Sequence, residues 1–355
     1  MYDTTDPTVL RSAMDGGTGG KCGTLIWKQP DTGQEKEYRM DYEGHICRAP
    51  MERASFMLPV MVGCSYNRCK FCNLFKHLQF RILPFAQVEE ECKRVAALGG
   101  SPKKVFFGDG NAFTFDADYL LRLINMTKQY FPQIEMINMD ATVTSILQKT
   151  DDELKALYDA GVRHLYLGIE TGLDDVLRFM HKDHTLDEAY EAIGRLQKAG
   201  LIYDAHIMSG IAGHGRGEEN ARALAGFFDK THPAHVVNFS LFLQNSVPLY
   251  REIRDGNFIP ATELENLIED RFLVSLMTRD EAHPVKYDSF HDYIECRVRG
   301  TLPRDRERMV RDLDRLIARE EQLEEPRYAD VFGTCPSLFD SSTGRYIWDT
   351  EAKSA

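Results

Sequence analysis

The strongest constraint on the fold is a repeated alternation of short apolar runs with helical patterns, from about Phe56 to about Leu243. The apolar runs fall at 56–62, 104–108, 134–139, 164–168, 203–209 and 235–241. Each is short and mostly apolar, as parallel strands covered by helices must be. Helical patterns lie between them at 88–98, 117–130, 151–160, 186–199 and 217–228, and several close on glycine, as at Ala160-Gly161 and Ala199-Gly200. Six β/α units in series predict a parallel α/β barrel or partial barrel, because crossovers between parallel strands are right-handed; a doubly wound open sheet is the competing layout.

The flanks read differently. Residues 24–28 and 37–41 enclose Pro30-Asp31-Thr32-Gly33, the pattern of a hairpin and its turn. Asp15-Gly16-Gly17-Thr18-Gly19-Gly20-Lys21 superficially suggests a phosphate loop, but Asp15 stands where the first glycine belongs and Cys22 where Ser or Thr is needed. It reads as a flexible loop. Beyond Gln244 the pattern is mostly helical. The expected organisation is an N-terminal extension over 1–54, the α/β domain over 55–245, a helical region over 246–330 and a tail over 331–355.

A net charge of -12 argues against a strong electrostatic grip on nucleic acid. No run approaches the roughly 18 apolar residues of a membrane span, and the first ten residues carry no apolar signal sequence. A cytoplasmic protein acting on a small molecule, with neither nucleic acid nor membrane as partner, is expected. The eight cysteines are Cys22, Cys47, Cys64, Cys69, Cys72, Cys92, Cys296 and Cys335. A disulfide framework suits short secreted chains, so Cys64, Cys69 and Cys72, three within nine residues, point instead to metal ligation.

These three lie in Gly63-Cys64-Ser65-Tyr66-Asn67-Arg68-Cys69-Lys70-Phe71-Cys72-Asn73, directly after the first strand, where α/β folds bind ligands. Thiolates are soft ligands suited to iron–sulfur clusters or zinc. Structural zinc needs four ligands, and His77 would complete such a set. A plant-type [2Fe–2S] ferredoxin begins with the same spacing, but Cys92, the nearest further cysteine, falls in the helical run 89–95. A cluster with only three protein ligands leaves one iron open for a small molecule. His181 with His184, and His232 with His235, lack cysteine or carboxylate support at ligand spacing and read as solvated helix positions.

Over about 56–243 the chain resembles the radical S-adenosylmethionine (radical SAM) superfamily, and within it the branch containing oxygen-independent coproporphyrinogen III oxidase. One departure is plain: Ser65 to Arg68 puts four residues between the first two cysteines, where three are usual, which bears on the subfamily rather than on the chemistry. The resemblance implies a partial (β/α)6 TIM-type barrel with the N-terminal extension over one end and C-terminal helices closing the substrate side. It also implies a [4Fe–4S] cluster on Cys64, Cys69 and Cys72, with S-adenosylmethionine on the open iron and a flavodoxin- or ferredoxin-type electron donor.

Further roles follow by position. Phe71 matches an aromatic residue that meets adenine, and Gly108-Asp109-Gly110 matches the glycine-rich segment that receives the methionine amino group. Asp140 and Glu170 match acidic residues near the bound cofactor, and Lys182 falls where the branch has an Arg on the methionine carboxylate. His206 and Ile211 match a strand that sets a polar side chain near ribose and an apolar one against adenine. The activity implied is reductive cleavage of S-adenosylmethionine to a 5′-deoxyadenosyl radical, and an electron-transfer iron–sulfur protein is the alternative.

Overall fold

The computed structural model describes residues 24–28, 35–39, 47–277, 283–291, 296–324, 326–328, 339–340 and 345–346. Cys22 and Cys335 lie outside the described residues, as does the glycine run 15–21. The expected hairpin is present, with Thr24–Lys28 antiparallel to Glu35–Arg39.

The main sheet takes its strands in chain order: β1 Phe56–Pro59, β2 Lys104–Gly108, β3 Met136–Ala141, β4 Val162–Glu170, β5 Ile202–Ser209, β6 His235–Ser240, β7 Val285–His291 and β8 Cys296–Leu302. Neighbours from β1 to β7 are parallel, and β8 returns antiparallel to β7. The helices are α1 Phe85–Ala97, α2 Ala117–Tyr130, α3 Val143–Leu147, α4 Asp151–Ala160, α5 Asp174–Phe179, α6 Leu186–Ala199, α7 Gly217–Thr231, α8 Leu249–Arg254, α9 Glu263–Leu276 and α10 Arg306–Glu320. This is the expected α/β partial barrel. The region after Gln244 holds, besides α8, α9 and α10, two strands that the sequence pattern does not show: β7 continues the parallel sheet and β8 ends it.

The alternation of side chains along each strand separates two environments. Val105, Phe107, Ile137, Met139, Leu165, Leu167, Tyr203, Ala205 and Val236 face the helices and form the main core with residues such as Leu120, Leu157, Ile193 and Phe228. The opposite face carries Asn138, Asp140, Tyr166, Asp204 and His206, a set too polar for a packed core and suited to a ligand cavity. Residues 47–55 run along that inner face. Ala49 packs with Met57, Phe106 and Tyr166, and the buried Glu52 carboxylate accepts hydrogen bonds from Ser55, Tyr166 and Asn138 Nδ2, the last at 2.6 Å.

Helix ends obey local chemistry. Thr150, Thr185 and Thr262 each form a reciprocal capping box with a glutamate three residues on, which satisfies amide groups the first turn leaves free. Gly161 and Gly200 close α4 and α6 at positive φ, 111° and 88°, where a side chain would strain the backbone.

Candidate cofactor site

The cysteine loop spans 63–80 and is pinched at its base by the short antiparallel pair Met61–Val62 and Arg81–Ile82. Inside it, Asn67 Nδ2 donates to the Phe75 carbonyl at 2.9 Å and Lys76 Nζ to the Asn67 carbonyl at 2.6 Å. One flank is tied to the segment after β4: Lys70 N donates to the Met180 carbonyl at 2.9 Å and Tyr66 Oη to the His181 carbonyl at 2.7 Å. Lys70 Nζ also pairs with Glu252 of α8 at 2.7 Å and lies over the Phe179 ring. The other flank meets the end of β2, where Ser65 N donates to Asn111 Oδ1 at 3.0 Å. Gly110, at φ 138°, presses so closely on the Gly63 carbonyl that any side chain there would collide with backbone.

Cys64, Cys69 and Cys72 are therefore held at the carboxyl rim of the sheet as free, half-buried thiols. Burial pushes the Cys69 thiol up to about 11 against the opposing pull of Lys182, and burial also raises Cys72. Among the described residues no three His, Cys, Asp or Glu side chains close on one point as ligands of a single ion would. Three thiols on one loop are a donor set that suits a cluster, which offers each of them a separate iron. Cys92 is fully buried in α1 and His77 is exposed, and among the described residues neither forms a metal-binding group with the loop's thiols.

Beside the thiols stand Asp109 and Asp140. Asp109 is 5% exposed, and its Oδ1 accepts the Cys47 amide at 3.0 Å. Burial raises its carboxyl to about 6. Burial, reinforced by Asp109 and Glu52, raises Asp140 to about 8. Cys47, which the sequence offers no reason to place, thus reaches the same spot. Burial raises its thiol well above the usual range, and the neighbouring charges, in falling order, are Asp140, Asp109, Cys72 and Cys64.

A second charged group forms where β4 ends. A register shift between Gly168 and Glu170 turns Glu170, at φ 64°, back toward Gly168, and its Oε1 meets Lys182 Nζ at 3.1 Å. Gly168 has no room for a methyl group, which would fall 3.0 Å from Lys182 Nζ and collide with Glu170. Lys182 is a buried cation rather than a surface one, its side chain 8% exposed. Burial pulls its ammonium down, but Glu170, Cys69 and Asp183 outweigh that and hold it charged. His184 pairs with Asp183 at 3.1 Å and is buried, and His235 is paired with Asp288 at 2.9 Å. Neither is the solvated helix position that the spacing suggests; His181 and His232 are exposed.

Phe71 and Ile211 come together in one apolar cluster with Val176, Met180 and Leu241, beside the thiol loop. His206 lies on the inner face, stacked on Tyr166 at 5.8 Å, and burial lowers it to about 4, so it is neutral. Its Nε2 is buried and has no hydrogen-bond partner among the described residues. Cys64, Cys69, Cys72, Asp109 and Lys182 thus lie in the segments that follow the carboxyl ends of the strands and Glu170 is the last residue of β4, with Asp140 and His206 on the inner face of the sheet. Asn111, Glu52, Asp183 and Cys47 are additions, recognisable only once the loops are brought together.

Residues 58–227 match the family model described as Radical SAM superfamily, and the chain carries a radical SAM domain. Among curated relatives it is similar to the tRNA-2-methylthio-N(6)-dimethylallyladenosine synthase of Chlorobium luteolum, 27% identical over 181 residues, covering 48% of this chain and 39% of that protein. It is also similar to the heme chaperone HemW of Lactococcus lactis subsp. lactis, 21% identical over 195 residues, covering 53% of this chain and 49% of that one. The matched part is under half the length of either relative. Among solved structures, coproporphyrinogen III oxidase (HemN) from Escherichia coli superposes with a TM-score of 0.51 at 15% identity, over 64% of this chain and 53% of that chain. A radical SAM domain implies a [4Fe–4S] cluster and S-adenosylmethionine. No helix among the described residues is long and apolar enough to cross a membrane.

Proposed function

We propose that this protein is an enzyme that cleaves S-adenosylmethionine reductively and uses the resulting radical on a small molecule, with Cys64, Cys69 and Cys72 holding the cluster. The observation that carries this reading is the meeting of the three thiols with Asp109 on one side and the Glu170–Lys182 pair on the other. When bound and reduced, the cluster supplies the electron that splits the sulfonium into methionine and a 5′-deoxyadenosyl radical. The chain's own residues bind, orient and exclude water.

Asp109 accepts hydrogen bonds from the methionine ammonium, and Gly108 and Gly110 allow ligand and backbone to approach. Asp140, its carboxyl raised to about 8, adds a second hydrogen-bonding group on the same side. Lys182, kept charged by Glu170, faces the methionine carboxylate, while Phe71 and Ile211 offer an apolar seat to adenine. His206, neutral and with an unpaired buried nitrogen, is placed to hydrogen-bond a ribose hydroxyl. The electron comes from a flavodoxin- or ferredoxin-type donor.

Anaerobic reconstitution tests the assignment. Wild type should take up about four irons and release 5′-deoxyadenosine after dithionite reduction, whereas Cys69→Ala should hold no cluster. Asp109→Ala should keep the cluster and bind S-adenosylmethionine roughly ten- to a hundred-fold more weakly, the value of about 1.5–3 kcal/mol for a charge-assisted bond. A full cluster in Cys69→Ala would remove the assignment. The electron-carrier alternative draws support from Cys47 as a fourth thiol nearby. It requires that the cluster's spectrum stay unchanged when S-adenosylmethionine is added and that no 5′-deoxyadenosine form.

A further inference from the structure

The segment 47–55 enters the inner face of the sheet and is fixed there at two points. Ala49 and Glu52 anchor it against Met57, Phe106, Asn138 and Tyr166. Cys47 then ends beside the cysteine loop. Its amide donates at 3.0 Å to Asp109 Oδ1, the carboxylate that the proposed function assigns to the methionine ammonium. Asp109 belongs to the turn that Gly110 packs on the Gly63 carbonyl, one residue before Cys64, so the bond brings Cys47 alongside the thiol loop. Cys64 and Cys72 are both within electrostatic reach of its thiol. On the same spot, the Asp140 carboxylate accepts no hydrogen bond among the described residues.

We infer that Cys47 is a removable fourth thiolate, which occupies the open corner of the cluster until S-adenosylmethionine displaces it. This rests on the three-cysteine assignment of the proposed function and adds to it. In the closed state the Cys47 amide takes the place of the cofactor's ammonium on Asp109, and its sulfur takes the place of the cofactor's chelating atoms. Coordination releases the thiol proton to solvent, since the thiolate is the ligand form. When S-adenosylmethionine arrives, its ammonium would give up one proton so that the amino and carboxylate groups can bind the iron, the departing Cys47 thiolate would take up that proton, and the Cys47 amide would leave Asp109. No electron is consumed in either direction. The device keeps the labile iron covered when cofactor is absent, and it makes cofactor affinity depend on how readily segment 47–55 lifts.

The test compares reconstituted full-length wild type with Cys47→Ala and Cys47→Ser, which preserves the amide and offers a poor iron ligand. Each is titrated with ferricyanide without S-adenosylmethionine and followed by electron paramagnetic resonance. Wild type should hold its four-iron form, and both variants should convert readily to the three-iron form. Both variants should also bind S-adenosylmethionine more tightly, about tenfold if the closed state is populated nine parts in ten. Equal iron loss and equal affinity in wild type and the Ser variant would overturn the inference and leave the three-cysteine assignment standing. Absence of any cluster in wild type would overturn both.

Discussion

Lys182 illustrates how much a single side chain depends on what surrounds it. A lysine in solvent contributes little to binding, and removal would be nearly silent. Here the side chain is 8% exposed and its partner Glu170 10%, so the two are desolvated together. Lys182→Met leaves the Glu170 carboxylate buried with no cation at contact distance, a change that costs about 3–5 kcal/mol in buried pairs. Urea unfolding of the cluster-free protein should therefore show a clearly lower midpoint for Lys182→Met. The double variant Lys182→Met/Glu170→Gln should recover much of the loss, because it removes the stranded charge. An unchanged midpoint in the single variant would mean that the pair is open to water in solution.

At the level of elements, two glycines separate turn geometry from helix propensity. Gly172 follows β4, and a methyl group there would stand 2.6 Å from backbone atoms of Ala223 and Leu224 in α7. Backbone cannot swing aside, so Gly172→Ala should destabilise by roughly 1–3 kcal/mol. Gly194 lies inside α6 with nothing within 4 Å of the added methyl, so Gly194→Ala should stabilise by about 0.5–1 kcal/mol. Paired thermal melts read both signs at once.

The elements also show what could be read in advance. α2, α4 and α6 occupy the expected ranges because their stripes are apolar and, for α4 and α6, because Thr caps and Gly stops are local signals. β7 was not legible, and the reason is physical. Its helix-facing residues Tyr287, Ser289 and His291 are polar, because they meet buried acids of α9 instead of an apolar helix face. Neither side of Val285–His291 then shows an apolar alternation. Cys47 was illegible for a different reason. No periodicity governs the chain before Phe56, and only the path of residues 47–55 brings that thiol to the loop. The cysteines proposed to hold the cluster need no such path, since their spacing and their place after the first strand already single them out in the sequence.

That polar seam between α9 and the last parallel strands makes the stability of the whole molecule sensitive to pH. Asp270 accepts from His291 Nε2 at 2.9 Å and from Tyr287, and Glu269 accepts the Gly210 amide at 2.9 Å and Asn220 Nδ2 at 2.7 Å. Burial would lower His291, but Asp270 and Glu263 override it and raise the imidazole to about 9; burial raises Glu269 to about 8. Both folded values lie above the unfolded ones. The stabilisation each brings is complete below its unfolded pKa and fades as pH rises through the folded value. Melting temperature should accordingly fall from about pH 4.5, where Glu269 ionises in the unfolded chain, to about pH 9, with both groups contributing between about pH 6.5 and about pH 8. Asp270→Ala should cost about 3–5 kcal/mol at neutral pH, because it breaks a buried pair and leaves His291 only Glu263, at 3.4 Å, as a carboxylate partner.

A sheet that does not close on itself leaves two borders, and the β8 border bears on solubility. Among the described residues β8 pairs with β7 alone, so its far side offers backbone groups to any extended chain. Arg297 and Arg299 are exposed on this strand, Arg297 held by Asp288 of β7 at 2.6 Å, and Arg308 of α10 already donates to the Arg299 carbonyl at 2.7 Å. Two long charged side chains on the strand and one occupied acceptor make this border a poor template for a second copy. Replacing both arginines with threonine, a good strand former, should turn it into a docking rail, and light scattering that grows with protein concentration would register the change. The antiparallel return that ends the fold thus also carries its defence against self-association.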